Sequence, residues 1–395
     1  MEPNLGLPDD LSLPEPWQRT LSLPGDPALP GLETLREYGL AETLPELDLG
    51  DLAVELRLCN YVEGSRVTFE ARAEGRRFAI KMYADDATLE ATLYRKLARV
   101  GLASEVGARV PRLLAFDPDL HLLAMSWLDG KTASRLLREG KGERAGKLAA
   151  SWFSRASNVR VKFAPPCGSG RMLYNAGTSA VALGATDQAL GSAAKAVART
   201  LLRRPPIERG PRLVHGTLYT RHILDLGDGP GVIDWQQFGQ GPLELDAGTF
   251  LASLTRTRLR HDSLATEAAK AEEAFLSTTR TLFDERALDW YWAAGLLHVV
   301  ASGLKDGLKH SAPPEAKALI QIAAQRAERA VAGETLPDAE STSLLERLRS
   351  AFSTRRRAHG TLGADRPSTE PGRESKTESP PPEKPPDDVH QENSR

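Results

Sequence analysis

Sulfur is scarce in this chain and a surplus of charge is absent. Only two cysteines, Cys59 and Cys167, occur among 395 residues. They form no Cys-x-x-Cys pair and no metal-ligand spacing. The pattern points to two unpaired thiols in a reducing compartment rather than a disulfide framework. The 51 basic and 53 acidic residues leave a net charge of −2, so no field draws in nucleic acid or an anionic membrane. No basic stripe with interleaved aromatics appears either, and Arg355-Arg356-Arg357 reads as a solvated helix end. The first residues, Met1-Glu2-Pro3-Asn4, lack the basic-then-apolar order of a secretory signal. The most apolar run, Gly295 to Leu304, is interrupted by His298 and Ser302 and is too short to cross a bilayer. These absences predict a cytoplasmic protein without a nucleic-acid or membrane partner. The 41 % of hydrophobic residues suffices for a sizeable core.

Composition divides the chain. Residues 1–50 form a Pro-rich segment, with Pro3, Pro8, Pro14, Pro16, Pro24, Pro27 and Pro30 recurring too often for long elements. Short apolar clusters such as Leu21, Leu23 and Leu29 can still dock on a folded surface. Residues 336–395 are read as a C-terminal tail, largely disordered from about 360, because Pro367 to Arg395 has almost no large apolar residues to offset its ordering entropy. Two such tails are also places where a protein partner could bind. No internal repeat is present.

Residues 51–128 read as a small β-rich lobe. Val54–Leu58, Arg66–Ala71 and Arg77–Tyr83 alternate and carry β-formers, with breaks at Glu63-Gly64-Ser65 and Glu74-Gly75, which predicts an antiparallel meander. A helix follows, capped by Asp85 or Asp86, with Leu89, Leu93 and Leu97 at helical spacing and Gly101 past its end. Pro111–Phe116 and Leu120–Ser126 add two strands around Asp117-Pro118-Asp119. Residues 129–335 read as a helical lobe, with helices over about 132–139, 143–156, 178–203, 245–259, 263–282, 284–308 and 313–333. One β-hairpin interrupts it. Its arms are His222–Leu226 and Val232–Trp235, joined by Gly227–Gly231.

The hairpin carries the chemistry. Residues near 222 and 234 lie opposite each other, so a polar group at 222 and Asp234 converge. Two such groups can hold a divalent cation together with phosphate oxygens. A turn after Val214-His215-Gly216 sends residue 217 into the same space. Taken singly, most of these residues have plainer readings. Lys81 is a strand lysine with its head in water, Glu90 a solvated helix face, and His215 a histidine bonded to nearby backbone. Trp290, Tyr291 and Trp292 read as core residues. Asp234 fits a plain reading least, because a carboxylate inside Val-Ile-Asp-Trp needs a partner or a cation.

The text His215-Gly216-Thr217-Leu218-Tyr219-Thr220-Arg221-His222, then Gly231-Val232-Ile233-Asp234-Trp235, then Gly241-Pro242-Leu243-Glu244-Leu245-Asp246, resembles the aminoglycoside phosphotransferase and choline kinase family. So does Phe78-Ala79-Ile80-Lys81 in the small lobe. The resemblance spans about residues 54–330. It implies an α+β, two-lobed protein-kinase-like fold, with ATP and Mg²⁺ as cofactors and a small-molecule hydroxyl as acceptor. Lys81 would hold the nucleotide's phosphates and Glu90 would fix Lys81. Gly64 and Ser65 would cover the phosphates, and the connector Met125-Ser126-Trp127-Leu128 would pack on adenine. Asp234 would bind the metal. Asp246 would brace the catalytic segment.

Two positions depart from the family's His-Gly-Asp-x-x-x-x-Asn. Thr217 replaces the Asp that accepts the acceptor's proton, and His222 replaces the metal-binding Asn. A threonine hydroxyl can position an acceptor but cannot take its proton. A neutral His222 can still ligate a metal, though imidazole suits Mg²⁺ less well than an amide oxygen. Two functions follow. One is an ATP-dependent phosphotransferase with an altered site. The other is a pseudokinase that keeps the fold as a nucleotide-binding or scaffolding protein. The acceptor stays open among aminoglycoside, choline, sugar, amino-alcohol and maltose-type molecules.

Overall fold

The computed structural model describes residues 25–208, 210–303 and 312–332. Leu21, Leu23, the arginine run at 355–357 and the tail from 336 lie outside the described residues, as does the end of the helix expected to reach 308.

The meander forms β1 (Glu55–Val62), β2 (Arg66–Ala73) and β3 (Arg76–Tyr83). With β4 (Leu113–Asp117) and β5 (Leu122–Ser126) it makes one five-stranded antiparallel sheet of order β1-β2-β3-β5-β4. Alternation assigns the two faces. Phe78, Ile80 and Met82 go to one face, while Ala79, Lys81 and Tyr83 go to the other. Between β4 and β5, Asp117 Oδ1 accepts the backbone N–H groups of Asp119 and Leu120, which fixes the turn.

The first face is not open. Leu29, Leu32, Leu35 and Leu40 bury against Val67, Phe69, Ile80, Met82 and Leu122. They belong to a segment containing α1 (Pro30–Thr43), a helix of 14 residues where proline density had argued against long elements. The reason is positional. Pro30 occupies the first turn, where its missing N–H costs nothing, and no proline recurs until Pro45, just past the helix. Gly39, at φ 76°, kinks the helix. Each leucine so buried contributes roughly 1.5–3 kcal/mol.

On the second face lies α2 (Thr88–Arg99). Asp86 accepts from the Thr88 N–H at 2.8 Å, and Gly101 follows the helix at φ 79°. Leu93 and Leu97 are buried, but Leu89 is 42 % exposed: it stands in the first turn, at the end of the apolar stripe.

The chain passes through β6 (Lys131–Thr132) into α3 (Ala133–Arg138) and α4 (Gly142–Ala156). The helix expected over 178–203 is two helices, α5 (Ser169–Thr186) and α6 (Gln188–Arg203). Asp187 divides them, and its carboxylate caps α6 by accepting from Ala189 and Leu190. A single extended residue leaves the 3.6-residue period almost unbroken, so periodicity alone merged the two. Strand β7 (Arg212–Val214) leads to the hairpin of β8 (Ile223–Asp225) and β9 (Pro230–Val232). Strand β10 (Gly239–Gly241) then returns to pair with β7. The helices α7 (Leu243–Arg260), α8 (Ala265–Thr279), α9 (Glu285–Ser302) and α10 (Ala316–Val331) complete the α+β fold. Trp290, Tyr291 and Trp292 are core residues of α9, at most 2 % exposed. The Trp290 indole N–H donates to the Leu201 carbonyl, and that of Trp292 to the Thr255 hydroxyl. Among the described residues no helix is long and apolar enough to cross a membrane.

Candidate functional site

Three backbone devices build the site. The first is the turn after β7. Gly216 sits at φ 84°, and a Cβ there would lie 2.1 Å from the Gln237 carbonyl oxygen, so only glycine fits. The second is Asp246, in the first turn of α7. Its Oδ2 accepts the His215 N–H at 2.6 Å and its Oδ1 accepts the Gly216 N–H at 2.9 Å. Burial pushes the Asp246 carboxyl up to about 7, against the lowering effect of those two N–H groups. The third is Asp234, at φ 68° and ψ 60°. In the hairpin His222 stands opposite Ile233, whose N–H donates to the His222 carbonyl at 3.1 Å. The left-handed turn one residue later brings the Asp234 carboxylate back toward His222. Such a conformation is uncommon outside glycine, and among other residues Asp and Asn adopt it most readily.

A chain of ionic contacts runs from the sheet to the hairpin. Lys81 Nζ is 2.9 Å from Asp234 Oδ1 and 3.5 Å from Glu90 Oε1. The Tyr83 hydroxyl donates to Glu90 Oε2 at 2.8 Å, holding Glu90 in place. Lys81 and Glu90 are buried, whereas 43 % of the Asp234 side chain stays open. Burial alone would depress the Lys81 ammonium, but Asp234 and Glu90 hold it well above its ordinary value. Desolvation likewise works to raise the Asp234 carboxyl, and the Lys81 ammonium above all, with Arg66, holds it well below the usual carboxylate range.

The two histidines are held by backbone carbonyls. His215 Nε2 donates to the Ile233 carbonyl at 2.8 Å, and burial lowers this imidazole to about 4. The His222 ring stacks on it with centroids 5.1 Å apart, and its Nδ1 donates to the Thr217 carbonyl at 2.8 Å. Burial, followed by the charge of Arg221, pushes His222 well below its ordinary value. Its free nitrogen, Nε2, is 3.5 Å from Asp234 Oδ2. Thr217 itself is 8 % exposed in the loop between them.

Lys81, Glu90, Asp234 and His222 thus meet in space, with His215 and Thr217 beside them. The remaining candidates line the small lobe. Gly64 and Ser65 form the β1–β2 turn. Met125 is buried in β5, and Trp127 follows β5 with the Arg77 guanidinium 4.9 Å above its ring. Asp225 faces elsewhere, paired with Arg144.

Sequence reasoning missed two contributors. Arg66, at the start of β2, is buried, and its Nη1 reaches Gln236 Oε1 at 2.8 Å just beyond Asp234. The signal was its place directly after Gly64-Ser65. Asp26, in the N-terminal segment, accepts the Gly64 N–H at 2.9 Å and the Tyr61 hydroxyl at 3.0 Å. No local pattern announces it.

Compared by sequence with curated proteins, the chain matches none. Solved structures resemble it in fold. The aminoglycoside phosphotransferase APH(4)-Ia superposes with a TM-score of 0.51 at 16 % identity, covering 76 % of this chain and 100 % of that one. A choline kinase from Cryptosporidium parvum Iowa II gives 0.47 at 9 % identity, over 69 % of this chain and 88 % of the other. An ethanolamine kinase from Plasmodium vivax gives 0.47 at 12 %, over 78 % and 97 %. The family model described as "Phosphotransferase enzyme family" matches residues 63–291, from the β1–β2 turn to the middle of α9. That stretch holds every residue of the ionic chain and the whole hairpin, and the chain is a member of the phosphotransferase enzyme family.

Proposed function

We propose that this protein binds ATP with a divalent cation in the cleft between the sheet and the hairpin, and phosphorylates a small-molecule hydroxyl slowly for want of a catalytic base. The observation that carries the reading is the Glu90–Lys81–Asp234 chain. It presents one buried ammonium and one half-open carboxylate on the same side of the sheet. These are the two charges a metal-bound triphosphate requires. The donor set fits the cation: Asp234 offers an ionised oxygen and His222 an imidazole nitrogen with no hydrogen-bond partner. A divalent cation bound there neutralises charge on the phosphate oxygens. Lys81 positions the phosphates, Arg66 adds a cation beside Asp234, and Asp246 keeps the His215–Thr217 loop in place.

Thr217 limits the rate. Its hydroxyl can orient the acceptor but cannot hold its proton. General-base help is worth ~10²–10⁴-fold. Phosphoryl transfer rests mainly on positioning and charge, so the reaction is weakened rather than abolished.

One observation favours the second reading, a pseudokinase. The Gly64 N–H, in the turn that would cover the phosphates, already donates to Asp26. Titration with ATP, with and without Mg²⁺ or Mn²⁺, tests both readings through the melting temperature. A shift growing as RT ln(1 + [L]/Kd) supports the cleft. An unchanged melting temperature at millimolar nucleotide sinks both the enzyme and the nucleotide-binding pseudokinase.

A further inference from the structure

His222 Nε2 is a buried nitrogen without a partner, aimed at a carboxylate. The ring is 3 % exposed and cannot turn away, because it stacks on His215 and its Nδ1 is bonded to the Thr217 carbonyl. A carbonyl only accepts, so Nδ1 carries the ring proton and Nε2 keeps its lone pair. Opposite it, 3.5 Å away, stands Asp234 Oδ2, a second acceptor. Two acceptors facing each other need a positive centre between them. A proton on Nε2 serves poorly, because 3.5 Å is too long for a charge-assisted hydrogen bond. A metal ion serves better, because an imidazole nitrogen and a carboxylate oxygen are both donors that a divalent transition-metal cation accepts. The bond from the far ring nitrogen to a backbone carbonyl is the usual support of a metal-ligating histidine.

We infer that His222 Nε2 and Asp234 Oδ2 bind a divalent cation that accepts nitrogen, with Mn²⁺ preferred over Mg²⁺. Mg²⁺ is a hard ion that takes oxygen ligands, whereas imidazole suits the transition metals. No group of three His, Cys, Asp or Glu side chains suited to a metal occurs among the described residues. Phosphate oxygens and water would therefore complete the shell, so the site is not one closed by four protein ligands. This inference rests on the nucleotide-cleft reading for the remaining ligands and identifies the ion that accompanies the nucleotide.

The test is electron paramagnetic resonance of Mn²⁺ added to the full-length protein, with and without a non-hydrolysable ATP analogue. Binding of the analogue is measured separately by calorimetry. The expected result is a ¹⁴N coupling on bound Mn²⁺. The protein should bind Mn²⁺ at least about ten-fold more tightly than Mg²⁺, and His222→Asn should remove both the coupling and the preference. The nitrogen coupling is read on the unaltered protein, so the test survives a variant that fails to fold. If the analogue binds but Mn²⁺ shows no ¹⁴N coupling, the metal assignment is wrong while the cleft stands. If neither binds, the cleft reading fails as well.

Discussion

Asp26 Oδ2 accepts the backbone N–H of Gly64 at 2.9 Å, across 38 residues of chain, and takes the Tyr61 hydroxyl on the same oxygen. A carboxylate from the N-terminal segment thereby pins the β1–β2 turn. Asp26→Ala leaves both donors without this partner. The turn should loosen at a cost of about 1–2 kcal/mol. Denaturant midpoints measure the loss, and faster amide exchange at Gly64 localises it. If Gly64 also serves a nucleotide, ATP affinity rises in the same variant. Unchanged exchange at Gly64 would mean that the contact does not hold the turn.

Lys81→Met separates two carboxylates from their common cation. Glu90 is buried at 5 % exposure and loses a partner it cannot replace with water. Asp234 keeps 43 % of its side chain open, which softens the penalty. The expected destabilisation is about 2–3 kcal/mol, below the range for a fully buried pair. Calorimetric ATP affinity should fall at least ten-fold. A destabilised variant with unchanged ATP affinity would reduce Lys81 to a structural role.

The strands around Lys81 were legible because β-formers alternate between the Glu63-Gly64-Ser65 and Glu74-Gly75 breaks, although both faces, Phe78, Ile80 and Met82 on one and Lys81 and Tyr83 on the other, are buried. The hairpin was legible in place but not in bounds: its second strand is Pro230–Val232 rather than Val232–Trp235, so His222 stands opposite Ile233, one residue short of Asp234. What escaped is long-range or positional. Pro30 begins a helix rather than preventing one, and that depends on where the apolar sheet face lies. The contact from Arg66 to Gln236 crosses 170 residues, so the place of Arg66 after Gly64-Ser65 marks the residue but not its partner. The left-handed turn at Asp234 is likewise set by the elements on either side.

Asp246 gives the molecule a pH dependence with a definite sign. Its folded carboxyl titrates at about 7, above the ordinary value near 3.9. Where the folded value is the higher, the group's stabilising contribution is full below pH ~4 and is lost as pH rises through ~7. Asp246→Asn removes that titration. The stability advantage of the unaltered protein over this variant should therefore shrink between pH 4 and 7, by at most about 1.4 kcal/mol per pH unit, and level off above. Urea midpoints across that range measure the difference. A widening gap would show that the N–H groups of His215 and Gly216 hold Asp246 ionised instead.

Thr217→Asp tests the proposal that this protein transfers phosphate slowly for want of a base. The loop that carries residue 217 is already fixed by Asp246 and by the His222 ring on the Thr217 carbonyl, so an introduced side chain inherits a defined position. It also brings a negative charge near Asp234, whose carboxylate is balanced by Lys81. A base restored to full effect is worth ~10²–10⁴-fold, and an acceptor site not shaped around it recovers less. ADP release from ATP with Mn²⁺ should rise at least about ten-fold in Thr217→Asp. It should stay flat in Thr217→Asn, which matches aspartate in shape but cannot take a proton. Equal rates in the two variants would leave geometry, not proton transfer, as the difference at this position. If calorimetry then gave both variants the same ATP affinity, the slow step would have to lie in how the helical lobe presents the acceptor.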